Sequence, residues 1–467
     1  MKKRTRNIII IIVGLQVVLI LGLLMLPSIV GAIPGRYRVA LAARSPFLSG
    51  MTEGVIDAVA PVATALPAPL QSSQGESVDI AALIGEQAAI TAVPSPLPEP
   101  TLVPSDAEVA VPEMEPETLD VTAVPTQQPS PTPAPTATAT PEPLPERVVL
   151  EGVGVVKQSF NNCGPANLTQ VLNFNGNDIT QAEVAAYLKP SSEDRNVSPW
   201  QIADYVNVET PGLNAIARSG GTLEMLKAFI AAGYPVVIEK GYELPETGWW
   251  GHYLTMFGYD DAKQELYSQD SYLGPFDGSG RVDSYAEIEK FWQQFNYTFY
   301  VVYTPEQEAE VAAILGPKMF DDVEMWKTAA ARAEAETQTN PDDAIAWFNL
   351  GTALTRIGEK TGAQEFYQGG AQAYDKAREL GLPPRMLWYQ FQPYLAYMKI
   401  GRYQDMLDLA DATLATQGGR NVEETYWYKG HALAFLGDIF GAREAYQEAL
   451  NVNENFYPAQ WSLDALN

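Results

Sequence analysis

The stretch from Val59 to Glu146 most limits what this chain can fold into. Its Pro, Thr, Ala, Ser and Glu residues cannot bury enough apolar surface to order themselves. It contains the tract Gln127-Gln128-Pro129-Ser130-Pro131-Thr132-Pro133-Ala134-Pro135, where proline removes backbone donors and favours extended polyproline conformations. Residues 35–146 therefore read as a juxtamembrane segment and a disordered Pro-rich linker, a semi-stiff stalk, with Gly35–Asp57 open to forming a short helix. A Pro-rich docking motif is the rival reading, and no basic residue stands beside the prolines of the tract to support it. Regular structure is left to residues 147–467, enough for two domains.

Upstream, Met1–Asn7 carries Lys2, Lys3, Arg4 and Arg6, and Ile8–Ile33 holds no charged residue. A helix crosses the hydrocarbon core with roughly 20 apolar residues, whereas a cleavable signal has about 7 to 15. Residues 1–34 read as a cytoplasmic basic tip and a transmembrane signal-anchor, with cleavage near Ala32 as the alternative. The basic tip stays inside and sends the C-terminal domains outward, although Arg36, Arg38 and Arg44 on the far side weaken that asymmetry. The expectation is a single-pass, membrane-anchored chain with its domains extracytoplasmic. A net charge of −27 opposes nucleic acid as a partner.

Cys163 is the only cysteine, so no intrachain disulfide exists and the thiol is available for chemistry. It opens Cys163-Gly164-Pro165-Ala166-Asn167-Leu168, where Asn162 suits an N-cap, Pro165 the first turn, and Leu168, Val171 and Leu172 a buried helical face. A thiol at a helix N-terminus sits in a positive field that favours the thiolate, and the local backbone amide can meet an oxyanion. The competing reading is a small buried hydrophobe.

The head begins near Arg147, with short strands expected at Val148–Leu150 and Val153–Val156 and a buried strand at Gly233–Ile238. After a loop containing Trp249 and Trp250, His252 begins a strand through Tyr259, and the next strand, Leu266–Gln269, ends at Asp270. In an antiparallel pair Asp270 can face His252, fix its tautomer and stabilise an imidazolium. Asp260 and Asp261 suit the intervening turn. Trp249, Trp250, Tyr253 and Tyr272 surround these positions in sequence and suit either a cleft or a core.

Gln158, Cys163-Gly164-Pro165-Ala166, Gly251-His252-Tyr253, Gly258-Tyr259 and Asp270-Ser271-Tyr272 resemble the bacteriocin-processing (double-glycine) group of papain-like cysteine peptidases over roughly Val148 to Thr304. The resemblance implies an α+β papain-like fold over residues 147–305, a Cys163 nucleophile, a His252 general base and acid, an Asp270 orienting residue and Gln158 donating to the oxyanion hole. The group commonly has an acidic residue before the Cys and its Gln one position further upstream, whereas here Asn162 precedes Cys163 and Gln158 is closer. Its best-known members are fused to export transporters and cut leaders at the cytoplasmic face. This chain has one membrane segment and no ATP-binding loop, so the implied substrates are extracytoplasmic peptides or proteins, or an isopeptide or acyl-transfer pair, and the competing reading is a catalytically silent head that with the repeats acts as a peptide-binding scaffold.

After Thr304-Pro305 the strand signals stop. Trp347, Gly351, Leu354, Gly358, Ala363 and Tyr367 recur as Tyr426, Gly430, Leu433, Gly437, Ala442 and Tyr446, with a weaker copy through Tyr394, Tyr397, Gly401 and Met406. Residues 306–467 resemble tetratricopeptide repeats, an all-α domain whose concave surface suits a protein or peptide partner. His431, inside the last copy, reads as a packing or surface residue. With two histidines and one cysteine no standard zinc site can be assembled, and no cofactor is expected.

Overall fold

The structure is a computed structural model that describes residues 65–70, 78–85, 143–191, 194–244, 248–416 and 418–466. The expected membrane segment, the juxtamembrane segment and the proline tract at 127–135 lie outside these residues. Among the described residues no helix is long and apolar enough to cross a membrane.

One antiparallel sheet organises the head: β1 Arg147–Val149, β2 Asn214–Arg218, β3 Val236–Leu244, β4 Gly248–Asp260, β5 Glu265–Gln269, β6 Arg281–Ser284 and β7 Phe299–Tyr303. The order is β2-β7-β3-β4-β5-β6, with β1 added to β4. β4 is the central strand, buried continuously from Gly251 to Asp260, and its aromatic and β-branched residues suit a strand covered on both faces. It starts earlier than the sequence suggests. Trp249 and Trp250 pair with Glu243 and Tyr242, so they belong to the strand and His252 sits inside it, opposite Lys240. The ring pair Tyr242–Trp250, stacked at 5.6 Å, extends the hairpin beyond the histidine.

The expected strand at Val153–Val156 does not form. Side-chain amides take its backbone groups instead: Val156 N donates to Gln170 Oε1 (2.8 Å) and Gln269 Nε2 donates to Val153 O (3.0 Å). A short helix α1, Ile80–Gly85, precedes the head, whose own helices are α2 Cys163–Phe174, α3 Gln181–Leu188, α4 Pro199–Glu209, α5 Leu223–Ala231 and α6 Tyr285–Trp292. α2 buries Leu168, Val171 and Leu172 against Val237, Tyr253 and Tyr300 of the sheet.

Beyond the sheet run α7 Glu308–Phe320, α8 Asp322–Thr339, α9 Ala344–Thr361, α10 Gln364–Leu380, α11 Gln392–Lys399, α12 Tyr403–Ala415, α13 Glu423–Phe435, α14 Ile439–Val452 and α15 Tyr457–Ala465. Consecutive helices pack as pairs, and glycines mark where they touch. A Cβ on Gly430 would lie 2.4 Å from Tyr446, and one on Gly351 2.8 Å from Tyr374. The copies are not equivalent in detail. Tyr367, the sequence counterpart of Tyr446, meets Gly358 instead, because α9 and α10 span 18 and 17 residues against 13 and 14 in α13 and α14.

The change from strands to helices after Pro305 is not a boundary of packing. Leu226, Phe229, Val236 and Phe299 of the head share one core with Met325, Trp326, Ala329, Leu350 and Leu354. Backbone groups are satisfied across the same junction: Asn296 Nδ2 donates to Asn349 O (3.1 Å), Asn349 Nδ2 to Gln293 O (2.6 Å), and an Arg332 guanidinium nitrogen to Gly221 O (2.7 Å).

Part of the expected linker is also built into this body. Leu66 is buried, its N–H donates to Leu382 O (2.7 Å), and Leu70 N donates to Asp405 Oδ1 (2.9 Å). Arg378 donates to the carbonyls of Pro67 (2.8 Å) and Ala68 (3.1 Å), and its third nitrogen pairs with Asp405 at 3.0 Å. In α1, Ile80, Leu83 and Ile84 pack on the shared core. Composition missed this segment because a buried guanidinium supplies donors to carbonyls that proline-rich chain leaves without partners.

Candidate active site

The N-terminus of α2 carries Cys163, a free and half-buried thiol. Asn162 stands before the helix as expected but makes no capping hydrogen bond, whereas Thr180, Ser198 and Thr222 cap α3, α4 and α5 through their side chains. The first N–H groups of α2 thus face no protein acceptor in the manner of the other helices and stay available to an anion. Asn167, one turn on, locks the helix to the sheet: its Nδ2 reaches Cys163 O (2.9 Å), Tyr253 O (3.1 Å) and Ser271 Oγ (3.2 Å).

His252 projects from β4 with only 1% exposure. Its Nε2 meets Asp270 Oδ1 at 3.1 Å, so the two positions placed a hairpin apart by the sequence do come together. Asp270 is held from several sides. Tyr242 donates its hydroxyl at 2.5 Å, the N–H groups of Tyr272 and Leu273 donate at 2.8 and 2.9 Å, and the Arg281 guanidinium lies 3.6 Å away. Burial alone would raise its pKa, yet the His252 charge and these donors hold the carboxyl well below its usual range. For His252 burial pulls downward and is outweighed by Asp270, then by Cys163, which raise the imidazole to about 9.

With Nε2 committed to Asp270, the ring nitrogen left for the thiol is Nδ1, which has no hydrogen-bond partner at ordinary distance among the described residues. The two groups are nevertheless in electrostatic contact. Burial pushes the Cys163 thiol up, but His252, Lys189 and the backbone at Tyr253 together leave it below its ordinary value. Lys189 is itself fixed by donating to Asn161 O (3.0 Å) and Asp194 O (2.7 Å). A thiolate beside an imidazolium is the state such shifts favour, and a long catalytic hydrogen bond is common before substrate arrives.

Gln158 lies in the loop before α2. Its N–H donates to Ser271 O (2.8 Å), and its Oε1 accepts from Ser271 Oγ (2.8 Å). Ser271 follows Asp270, so the glutamine is tied to the loop that carries the acid. Its acceptor end is thereby occupied.

Trp249 and Tyr253 prove to be buried. Tyr242, Trp250 and Tyr272 instead enclose the imidazole, with ring centroids 5.2, 5.6 and 6.3 Å from it. The sequence reading missed Tyr242, Arg281, Asn167, Glu239 and Tyr389. Asn167 had a signal, since four residues after Cys163 places it on the same helix face. Tyr389 follows a 3-10 turn, Pro384–Trp388, packs on Trp249 and Phe295 at 5.8 and 5.7 Å, and is close enough to Cys163 for the thiolate charge to raise its own pKa, after burial. No local pattern could have placed it there. His431 is a packing residue: its Nδ1 meets Tyr446 Oη at 3.1 Å, and burial lowers it to about 4. Among the described residues no group of three or more His, Cys, Asp or Glu could hold a metal ion.

An α+β domain with an antiparallel sheet, a helix-borne cysteine and a strand-borne histidine, followed by a helical region, is the class of protein these features define. Residues 150–300 match the model of the Peptidase_C39 like family, which carries the cysteine-peptidase fold. A candidate C39-like peptidase from Bacillus anthracis is similar in structure, with 17% identity over 34% of this chain and 98% of that one and a TM-score of 0.28, a likeness too distant to add to the family match. No curated protein matches the chain. The family match ends at residue 300, so the repeat resemblance rests on sequence recurrence and helix pairing.

Proposed function

We propose that this protein is a cysteine peptidase that hydrolyses peptide or isopeptide bonds outside the cytoplasm, anchored by Ile8–Ile33, with its helical region offering a protein-binding surface. Cys163 attacks the carbonyl carbon as a thiolate, and the N–H of Cys163 with Gln158 Nε2 receives the oxyanion. His252 gives its proton to the leaving amine, which departs and leaves a thioester. It then takes a proton from water as that water attacks the acyl carbon, and the thiolate departs. Asp270, held ionised by Tyr242 and Arg281, orients the imidazole through Nε2.

The observation that carries this reading is the 3.1 Å His252–Asp270 contact, which assigns Nδ1 to the thiol side. The test is iodoacetamide alkylation of Cys163 across pH in wild type and His252→Ala. Fast labelling well below the free-thiol value of about 8.5, lost in the variant, supports an activated pair. Labelling that rises only near that value, alike in both proteins, moves the assignment to a peptide-binding scaffold without turnover.

A further inference from the structure

Between the sheet and the helical region lies a cavity of ≈170 Å³. Its aromatic wall is Trp200 of α4 and Trp326 of α8, stacked at 5.8 Å, and Arg356 of α9 lies over both rings at 5.4 and 5.9 Å. Tyr389 lines the side toward Cys163. Two carboxyl groups complete the lining, Glu239 from β3 and Glu424 from α13.

Glu239 is the unexplained group. It is 6% exposed, and among the described residues no cation pairs with it. The Tyr253 hydroxyl is a polar neighbour, but its proton goes to Val197 O at 2.8 Å. Arg356 does not serve it, being engaged with Glu359 at 3.0 Å and stacked on the tryptophans. A carboxyl withdrawn from water without a counter-charge is expensive to ionise, and it gains most from a ligand that brings the positive charge.

The cavity adjoins the nucleophile. Glu239 lies opposite Tyr253, the residue after His252, in the β3–β4 pairing. A Cβ on Gly164 would touch Val197 at 3.5 Å, and the neighbours of Val197, Asn196 and Ser198, both line the cavity. A substrate whose scissile carbonyl reached Cys163 would therefore have a side chain within reach of it.

We propose that this cavity is a substrate subsite for a cationic side chain, an ammonium on an alkyl stem, with Glu239 as the specificity-determining residue and Glu424 on the facing wall. The assignment rests on the peptidase reading of Cys163. The aromatic wall suits both halves of such a group, since ring faces attract cations and apolar surface covers the stem.

The test uses the folded protein and two irreversible reagents of equal reach, the chloromethyl ketones of lysine and of 2-aminoheptanoic acid, whose side chain ends in a methyl where lysine has its ammonium. Each alkylates Cys163, and the ratio of their rate constants within one protein cancels the intrinsic reactivity of the thiol. Wild type is expected to favour the lysine reagent by about tenfold or more, and Glu239→Gln to bring the ratio near one. A wild-type ratio near or below one, or a ratio that survives Glu239→Gln, would overturn the proposal. Should Glu239→Gln not fold, the wild-type ratio alone decides. Iodoacetamide separates the two readings: fast labelling with a ratio of one sinks the subsite alone, whereas slow, His252-independent labelling sinks the peptidase while the ratio still reports the cavity.

Discussion

Replacing Asp270 by Asn removes the charge that leads the groups holding His252 protonated. The imidazole stands at about 9 against an ordinary 6.5, although burial pulls it down, so the raising groups supply at least about 3 kcal/mol. Asparagine keeps Oδ1 for the Tyr272 and Leu273 amides but turns an NH2 toward Tyr242 and Arg281. His252 then becomes neutral near pH 7, and Cys163 loses the imidazolium that lowers its pKa. Iodoacetamide labelling of Asp270→Asn is expected to fall on the order of 10²-fold at pH 6, with its pH step moved to about 8.5 or above. A profile superimposable on wild type refutes the reasoning. The stability sign follows from the raised His252 value: its contribution is full below about 6.5 and is lost as pH rises through about 9. The Tm gap between wild type and Asp270→Asn should accordingly narrow from pH 6 to pH 10.

Gln158→Ala is expected to lower kcat by about 10² to 10³ without moving the alkylation step, because it removes an oxyanion donor and leaves the ion pair. Tyr242→Phe removes the 2.5 Å hydrogen bond that helps hold Asp270 ionised and should raise the Asp270 pKa, read as an earlier loss of activity on the acid limb of the rate profile. Gly251→Ala would set a Cβ 2.5 Å from Phe295 and 3.1 Å from Tyr389, and should destabilise by about 1 to 3 kcal/mol in urea unfolding. Arg378→Met leaves Asp405 without one of its buried partners and should cost about 3 kcal/mol or more, with new protease sensitivity near Leu66.

How much was legible follows the range of the contacts. Cys163, His252 and Asp270 were visible because each lies at the end of, or within, an element with its own local pattern, and a single hairpin links two of them. The start of β4 was misread because Gly248 and the tryptophans look like loop until their partners on β3 are known. Glu239 reads in sequence only as a polar residue after Val236-Val237-Ile238, and Tyr389 as one aromatic among many. Their places in the fold come from contacts separated by many residues, which periodicity does not encode. The shared core across Pro305 escaped for the same reason: a helix face says that it is buried, not against what.

The docking of Leu66–Leu70 and α1 has a consequence for covalent connectivity. α1 and Val148 of β1 both pack on the shared core, so the sequence between them, residues 86–142, is bounded at each end by the same body. A protease that cuts within residues 86–142 would leave two fragments held by Arg378, the Leu66 pairing and the α1 contacts. Nicking there is a change of covalent connectivity without release, and the nicked protein should still elute as one species.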